Sequence, residues 1–346
     1  MIPSGADFRS DTLTLPTDEM RRAMAAAEVG DDVWGEDPTV KRLEAAAAEL
    51  LGKEAGLFMP SGTMANQVAI HVHCRPGDEL VCESRSHVYW YEGGAIARLS
   101  GTQVRTLDAP GGVPDPAQVT AAVRSDDPHY PRSRLLVVEN SHNMAGGRVV
   151  QPGRMDALAA AARAGGMAVH VDGARLCNAA VACGVEPARL VAAADSVSLC
   201  LSKGLGAPVG SVLAGTRAFL AEARRARKAF GGGLRQAGVL AAAGLLALRD
   251  WRTLLPRDHE RAQVLAQGIG GIDGIRVDTA AVETNIVMAD LVRGTPAGLV
   301  AELARHGVKA AAVGPARVRF VTHRDITDEG VQSCIRAARQ WAAATT

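Results

Sequence analysis

A lysine that closes a buried apolar run is the first group in the chain able to do chemistry. Ser196-Val-Ser-Leu-Cys-Leu-Ser202-Lys203-Gly204-Leu-Gly206 reads as a strand followed by a glycine turn. That leaves Lys203 at a strand end, on the rim of a sheet, where α/β proteins bind ligands. In water a lysine, pKa ~10.4, is a weak nucleophile at neutral pH; partly desolvated, it loses its proton and condenses with an aldehyde. Asp172 ends an earlier apolar run at 167–171. A crossover joining the two runs as adjacent strands brings both groups to one sheet edge. A carboxylate facing a pyridine nitrogen keeps it protonated and makes the ring an electron sink. Ser61-Gly62-Thr63 follows a run at 55–59 and opens a helical pattern. Backbone N–H groups and a hydroxyl at such a turn hold a phosphate; the same residues also serve as plain helix caps. His87 adjoins Tyr89-Trp90-Tyr91, flat groups that either stack on a planar ligand or fill a subunit interface. An amine, an acid, a phosphate turn and a flat loop are the four requirements of a pyridoxal phosphate site.

The elements that must position these groups follow from periodicity. Strands are predicted at 55–59, 80–83, 104–107, 134–139, 167–171, 196–201 and 210–214. Helices are predicted at 17–27, from Asp37-Pro38 to Gly52, at 64–73, 154–164 and 217–228, and as an apolar helix at 237–249. Thr17 and Asp37 stand where N-caps belong, and Pro38 at a first helical position. The alternation argues an α/β protein with a largely parallel sheet covered on both faces. The acidic stretch Gly30-Asp-Asp-Val-Trp-Gly-Glu-Asp37 reads as a solvated turn. From residue 256 the pattern changes: a helix at 258–267, strands at 275–277, 286–291, 308–313 and 318–321, and a last helix at 327–343. The chain thus divides into a large domain, 1–255, and a small C-terminal α+β domain, 256–346.

Composition narrows the partners. Of 346 residues, 47% are hydrophobic, enough for a substantial core, and 38 Lys+Arg against 37 Asp+Glu give no electrostatic case for nucleic acid or an anionic membrane. Six cysteines without Cys-x-x-Cys or framework spacing suit a reducing cytoplasm. The first residues carry no apolar leader, and the run 237–248 is too short to span a bilayer. His142 and His170 are read as local hydrogen-bond partners. His71 and His73 lie on a helical segment where they share no face, which argues against a metal site.

The motifs that carry this chemistry resemble the low-specificity L-threonine aldolases. They are Arg9-Ser10-Asp11-Thr12, Gly30-Asp-Asp-Val, Gly-Glu-Asp-Pro-Thr39, Ser61-Gly62-Thr63, Glu139-Asn140, His170-Val-Asp172-Gly-Ala-Arg175, Leu-Ser-Lys203-Gly-Leu-Gly206, Gly-Gly-Gly-Leu-Arg235-Gln236 and Arg319-x-Val-Thr-His323. The resemblance runs from Asp7 to the final helix. It implies the transferase-like fold type I of pyridoxal-phosphate-dependent enzymes, with a mainly parallel seven-stranded sheet in the large domain. It further implies a homodimer or homotetramer with shared active sites, and an amino-acid substrate. By the same resemblance Lys203 is the Schiff-base lysine and Asp172 holds the ring nitrogen. His87 stacks on the ring, and Gly62 and Thr63 bind phosphate. Lys228 and Arg235 reach the phosphate from a neighbouring subunit. Ser10, Arg175 and Arg319 receive the substrate carboxylate, with Arg175 also near the cofactor. His129 lies near the substrate hydroxyl. The proton acceptor is His87, His129 or a held water, and the reaction needs no metal. Trp34 departs from the family, which usually has tyrosine there. Two other readings stand beside this one: a β-eliminating lyase on the same scaffold, and a non-catalytic protein of that fold. A structural ion pair between Arg175 and Asp172 is the plain alternative for that arginine.

Overall fold

The apolar runs form strands and the amphipathic stretches between them form helices. The computed structural model describes residues 5–345; Met1 to Ser4, which belong to the stretch read as lacking a leader, lie outside the described residues. After a short arm strand, β1 (Ala6–Asp7), come β2 (Ala55–Met59), β3 (Glu79–Glu83), β4 (Gln103–Leu107), β5 (Ser133–Glu139), β6 (Ala168–Gly173), β7 (Ser196–Cys200) and β8 (Ser211–Gly215). These seven make one sheet in the order β2-β8-β7-β6-β5-β3-β4. Strands β3 to β7 pair in parallel, while β8 is antiparallel to both its neighbours. Strands β3, β7 and β8 are buried at every residue, with no alternation of buried and exposed positions, as in strands covered on both faces.

Helix starts follow local capping chemistry. Thr17 accepts from the Met20 N–H (3.0 Å) at helix Asp18–Ala25. Asp37 does more than cap helix Pro38–Leu51. One of its oxygens accepts from the N–H groups of Thr39 and Val40, and the other from those of Gly30 and Gly238. The acidic stretch is therefore no solvated turn. Asp37 and Asp32 are buried, and Asp32 pairs at 2.8 Å with the buried Arg227, whose guanidinium also donates to the Phe58 carbonyl (2.8 Å).

A second, four-stranded sheet is built from β9 (Ile275–Arg276), β10 (Ile286–Leu291), β12 (Ala311–Gly314) and β13 (Arg317–Val321), in the order β12-β13-β10-β9, all antiparallel. The run at 308–313 is two strands, not one. Its first part, β11 (Val308–Lys309), pairs in parallel with β1 of the N-terminal arm, and its second joins β13. The helices expected at 237–249 and 258–267 are likewise one helix, Gly238–Gly270, with Pro256 inside it. An interior proline costs about 3 kcal/mol. The buried stripe Ala247, Trp251, Leu255, Ala262, Leu265, Ile269 continues through it at helical spacing, and each large side chain contributes roughly 1.5–3 kcal/mol. Trp251 and Leu255 enter the core of the large sheet, and Ala262, Leu265 and Ile269 that of the small one.

That helix also buries an acid. Asp258 is fully buried, and neither carboxylate oxygen has a hydrogen-bond partner among the described residues. Burial pushes its carboxyl up to about 7, against the opposing charge of Arg261. The folded value lies above the unfolded one. Its stabilising effect is therefore complete below pH ~4, falls as pH rises, and is lost above about 7. Asp258→Asn, with no charge to bury, is expected to gain roughly 2–4 kcal/mol over wild type on going from pH 4 to pH 8. Denaturant unfolding at both pH values measures this; a pH-independent difference would show that Asp258 is not a buried neutral acid.

Candidate active site

Strands β6 and β7 lie side by side with Asp172 opposite Ser198, so Asp172 and Lys203 come to one sheet edge as expected. Lys203 stands three residues past the end of β7. Its carbonyl accepts from the Gly206 N–H (2.8 Å) and from the Thr14 hydroxyl (3.0 Å). Gly206 has φ +82°, a region only glycine enters freely, and a Cβ there would collide with the Arg324 guanidinium. The turn is thus held by backbone, and the lysine side chain is left to act.

Asp172 is 1% exposed. One oxygen accepts from the Ala174 N–H (3.1 Å), the other from the Asn66 side-chain amide (2.9 Å). Asn66 is the hub beneath the site. Its nitrogen also donates to Glu92 (2.9 Å), and its oxygen accepts from the Ser198 hydroxyl (2.8 Å) and from His170 Nε2 (3.1 Å). The opposite amide orientation would set its oxygen against two carboxylates, so the network has one consistent direction. His170 Nε2 carries the proton, and His170 Nδ1 accepts from Ser196 Oγ (2.9 Å), which accepts in turn from His73 Nε2 (2.8 Å). Burial pushes His170 down to about 3 and His73 to about 4, so both rings are neutral. His142, also fully buried, bonds Glu83 at 2.9 Å. His170 and His142 are thus hydrogen-bond partners, as read.

His87 opens the short helix His87–Trp90. Its N–H donates to Glu139 at the end of β5 (2.8 Å), and its Nδ1 lies 2.9 Å from Glu92 Oε1. Donor atoms of His87, Glu92 and Asp172 all fall within 4.8 Å of one another. Burial depresses this imidazole, yet the bond to Glu92 and the charges of Asp172 and Glu92 outweigh it and hold the ring above its usual range. Tyr89, Trp90 and Tyr91 are about half exposed beside it, with the Tyr91 ring 5.7 Å from that of His87.

Gly62 and Thr63 begin helix Gly62–His73, capped by Ser61, whose hydroxyl accepts from the Met64 N–H (3.2 Å). A Cβ on Gly62 would lie 2.6 Å from Cys200 Sγ, so the helix start touches the end of β7. That leaves backbone N–H groups on the Lys203 edge.

The arginines are placed differently. Arg175 is buried in a two-point ion pair with the fully buried Asp11 (2.7 and 2.8 Å); the partner is Asp11, not Asp172. Burial works against that acid's charge, but Arg175 dominates and lowers it to about 2. Arg319 donates to the Asn143 side chain (2.8 Å) and the Arg9 carbonyl (3.1 Å), and its buried Nε has no partner among the described residues. Burial and the neighbouring Arg175 charge depress it. Ser10 accepts from the Thr12 N–H and hydroxyl.

Three expected site residues are not gathered here by one chain. His129 is 86% exposed, bonded to Asp127 (2.7 Å), on the loop that enters β5. At ~3.3 Å per residue that strand puts His129 roughly 20 Å from the edge bearing Asp172. Lys228 and Arg235 are exposed, and Arg235 pairs with Asp31 (3.0 Å). Gly232, between them, packs against Met64, next to Thr63. Trp34 is 77% exposed. Asn66, Glu92 and Asp11 are the site groups that reading the sequence passes over. Asp11 lies inside a quoted motif; Asn66 carries no signal beyond being polar on a helical stretch, and Glu92 none beyond being polar in the turn after Tyr91.

The donor set fits pyridoxal phosphate: an amine, a buried carboxylate and a helix start converge on one edge, with an unpartnered guanidinium N–H close by. The architecture is fold type I of the pyridoxal-phosphate-dependent enzymes. A threonine aldolase structure from Leishmania major superposes with a TM-score of 0.81 at 20% identity, over 99% of this chain and 100% of that one. The chain belongs to the beta-eliminating lyase family, which matches it over residues 7–292, and within it groups with the low-specificity L-threonine aldolases. Low-specificity L-threonine aldolase 1 of Arabidopsis thaliana is 44% identical over 98% of this chain and 97% of its own length. The low specificity L-threonine aldolase of Escherichia coli K12 is 42% identical over 93% and 95%.

Proposed function

We propose that the protein is a carbon–carbon lyase that uses pyridoxal phosphate to cleave L-threonine and L-allo-threonine, and other L-β-hydroxy-α-amino acids, to glycine and an aldehyde. The observation that carries this reading is the meeting of Lys203 and the buried Asp172 at adjoining strand ends. Bound pyridoxal phosphate supplies an electron sink for the pair released from the Cα–Cβ bond. Lys203 would hold its aldehyde carbon, Asp172 its ring nitrogen, His87 one ring face, and Gly62 and Thr63 its phosphate, with Lys228 and Arg235 of a second copy beside it. Arg319, Arg175 and Ser10 would fix the substrate carboxylate and so set the direction of the Cα–Cβ bond; a guanidinium fork suits a carboxylate. His87, His129 or a held water takes the β-hydroxyl proton. With His129 on the far edge of its own sheet, its part requires delivery by another copy, in keeping with a homodimer or homotetramer. Six free thiols suit a reducing cytoplasm, and no helix among the described residues is long and apolar enough to cross a membrane.

Feeding L-threonine tests the reading. Glycine with acetaldehyde supports it; 2-oxobutyrate with ammonia would make the protein a β-eliminating enzyme, the chemistry for which the family is named. Arg319→Ala removes the unpartnered N–H, so KM for L-threonine should rise about 10–100-fold, the scale of one charge-assisted bond, with cofactor retained. Loss of the cofactor's absorbance at unchanged KM would contradict that role.

A further inference from the structure

We infer that Glu92 is a positioning residue for His87: it holds the imidazole with its proton on Nδ1 and leaves Nε2 as the nitrogen that exchanges protons in the reaction. This rests on the aldolase reading above. Glu92 is a carboxylate with no exposed side-chain surface, and three donors close around it. His87 Nδ1 lies 2.9 Å from one oxygen, which also accepts from Asn66 (2.9 Å); the other oxygen accepts from Gln67 Nε2 (2.6 Å). A carboxylate only accepts, so His87 Nδ1 must donate. Asn66 and Gln67 are neighbours on helix Gly62–His73, and Asn66 is itself locked by Ser198 and His170. Glu92 therefore cannot turn away from the ring.

One amide group links the two acids of the site. Asn66 Nδ2 donates to Asp172 and to Glu92, so the acid assigned to the cofactor ring and the acid behind His87 share a support. The charged groups facing the imidazole are Glu92 on its own segment, Asp172 at the end of β6 and Lys203 after β7. Glu139 at the end of β5 grips the His87 N–H. Among the described residues Glu92 alone hydrogen-bonds His87 Nδ1. An acid bonded to Nδ1 makes the far nitrogen a stronger base and fixes its direction.

The test uses the full chain as purified, labelled with 15N in the histidine rings. In wild type, the His87 signals should show Nδ1 protonated and Nε2 titrating; the reverse tautomer would overturn the inference whether or not any variant folds. In Glu92→Gln, which keeps size but removes charge, the His87 titration should move to lower pH. The acidic limb of the kcat/KM profile should move the same way, and kcat/KM at pH 7 should fall about tenfold or more. Glu92→Asp should keep the titration near that of wild type. General damage would lower the rate without moving the limb. An unmoved titration and limb in Glu92→Gln would therefore defeat the inference, even while wild type still cleaves L-threonine. Absence of threonine cleavage in wild type would instead count against the aldolase reading, and the ring titration would still report on Glu92.

Discussion

Lys203→Ala is expected to abolish cleavage of L-threonine, with kcat falling by at least about 10⁴-fold, the scale seen when a covalent catalytic group is removed. The side chain is separable from the fold here. The structural bonds of that turn are made by the Lys203 carbonyl, with Thr14 and Gly206, and alanine keeps that carbonyl. Thermal stability should therefore stay close to that of wild type while turnover disappears. Borohydride reduction of wild type should leave a pyridoxyl group on Lys203 and nothing on the variant. A Lys203→Ala protein with full activity would defeat the assignment.

The second large effect is at Asp172. Asp172→Asn keeps the shape but removes the negative charge that a protonated ring nitrogen needs, so kcat should fall by roughly 10²–10⁴-fold. The burial that makes Asp172 effective also makes the loss large, because a charge interaction gains strength in a water-poor setting. Both oxygens accept from donors fixed elsewhere, Ala174 and Asn66, so the amide meets at least one donor with a donor. Some loss of stability, of the order of 1–3 kcal/mol, is expected beside the kinetic effect. The two effects part under borohydride: Lys203 should still be labelled in this variant. A variant that turns over L-threonine at the wild-type rate would remove Asp172 from the mechanism.

The large sheet and the Asp172–Lys203 pair were legible in the sequence because their signals are local. Strands buried on both faces give short runs rich in apolar residues, and a glycine turn marks the end of the run that leads to Lys203. The order of Ser61-Gly62-Thr63, Asp172 and Lys203 along such runs then carries the chemistry. Capping is equally local, and Thr17 and Asp37 cap where they were placed. Periodicity misled where two local signals competed: Pro256 looked like an end, but a stripe of buried side chains on both sides of it held one helix together.

What only the tertiary structure decided is which distant polar groups meet. Arg175 and Asp11 are far apart in the chain and join only when the N-terminal arm packs against the Lys203 turn. Asn66 and Gln67 read as ordinary polar residues of a helical stretch and Glu92 as one of a loop, and they become a buried network only after helix Gly62–His73 is laid under β6 and β7. The resemblance gives His129 a place near the substrate, yet the direction of β5 sends it to the opposite edge. Sequence spacing encodes which face of its own element a residue occupies. A hydrogen bond needs two groups within about 3 Å, a condition that sheet order and helix placement alone impose.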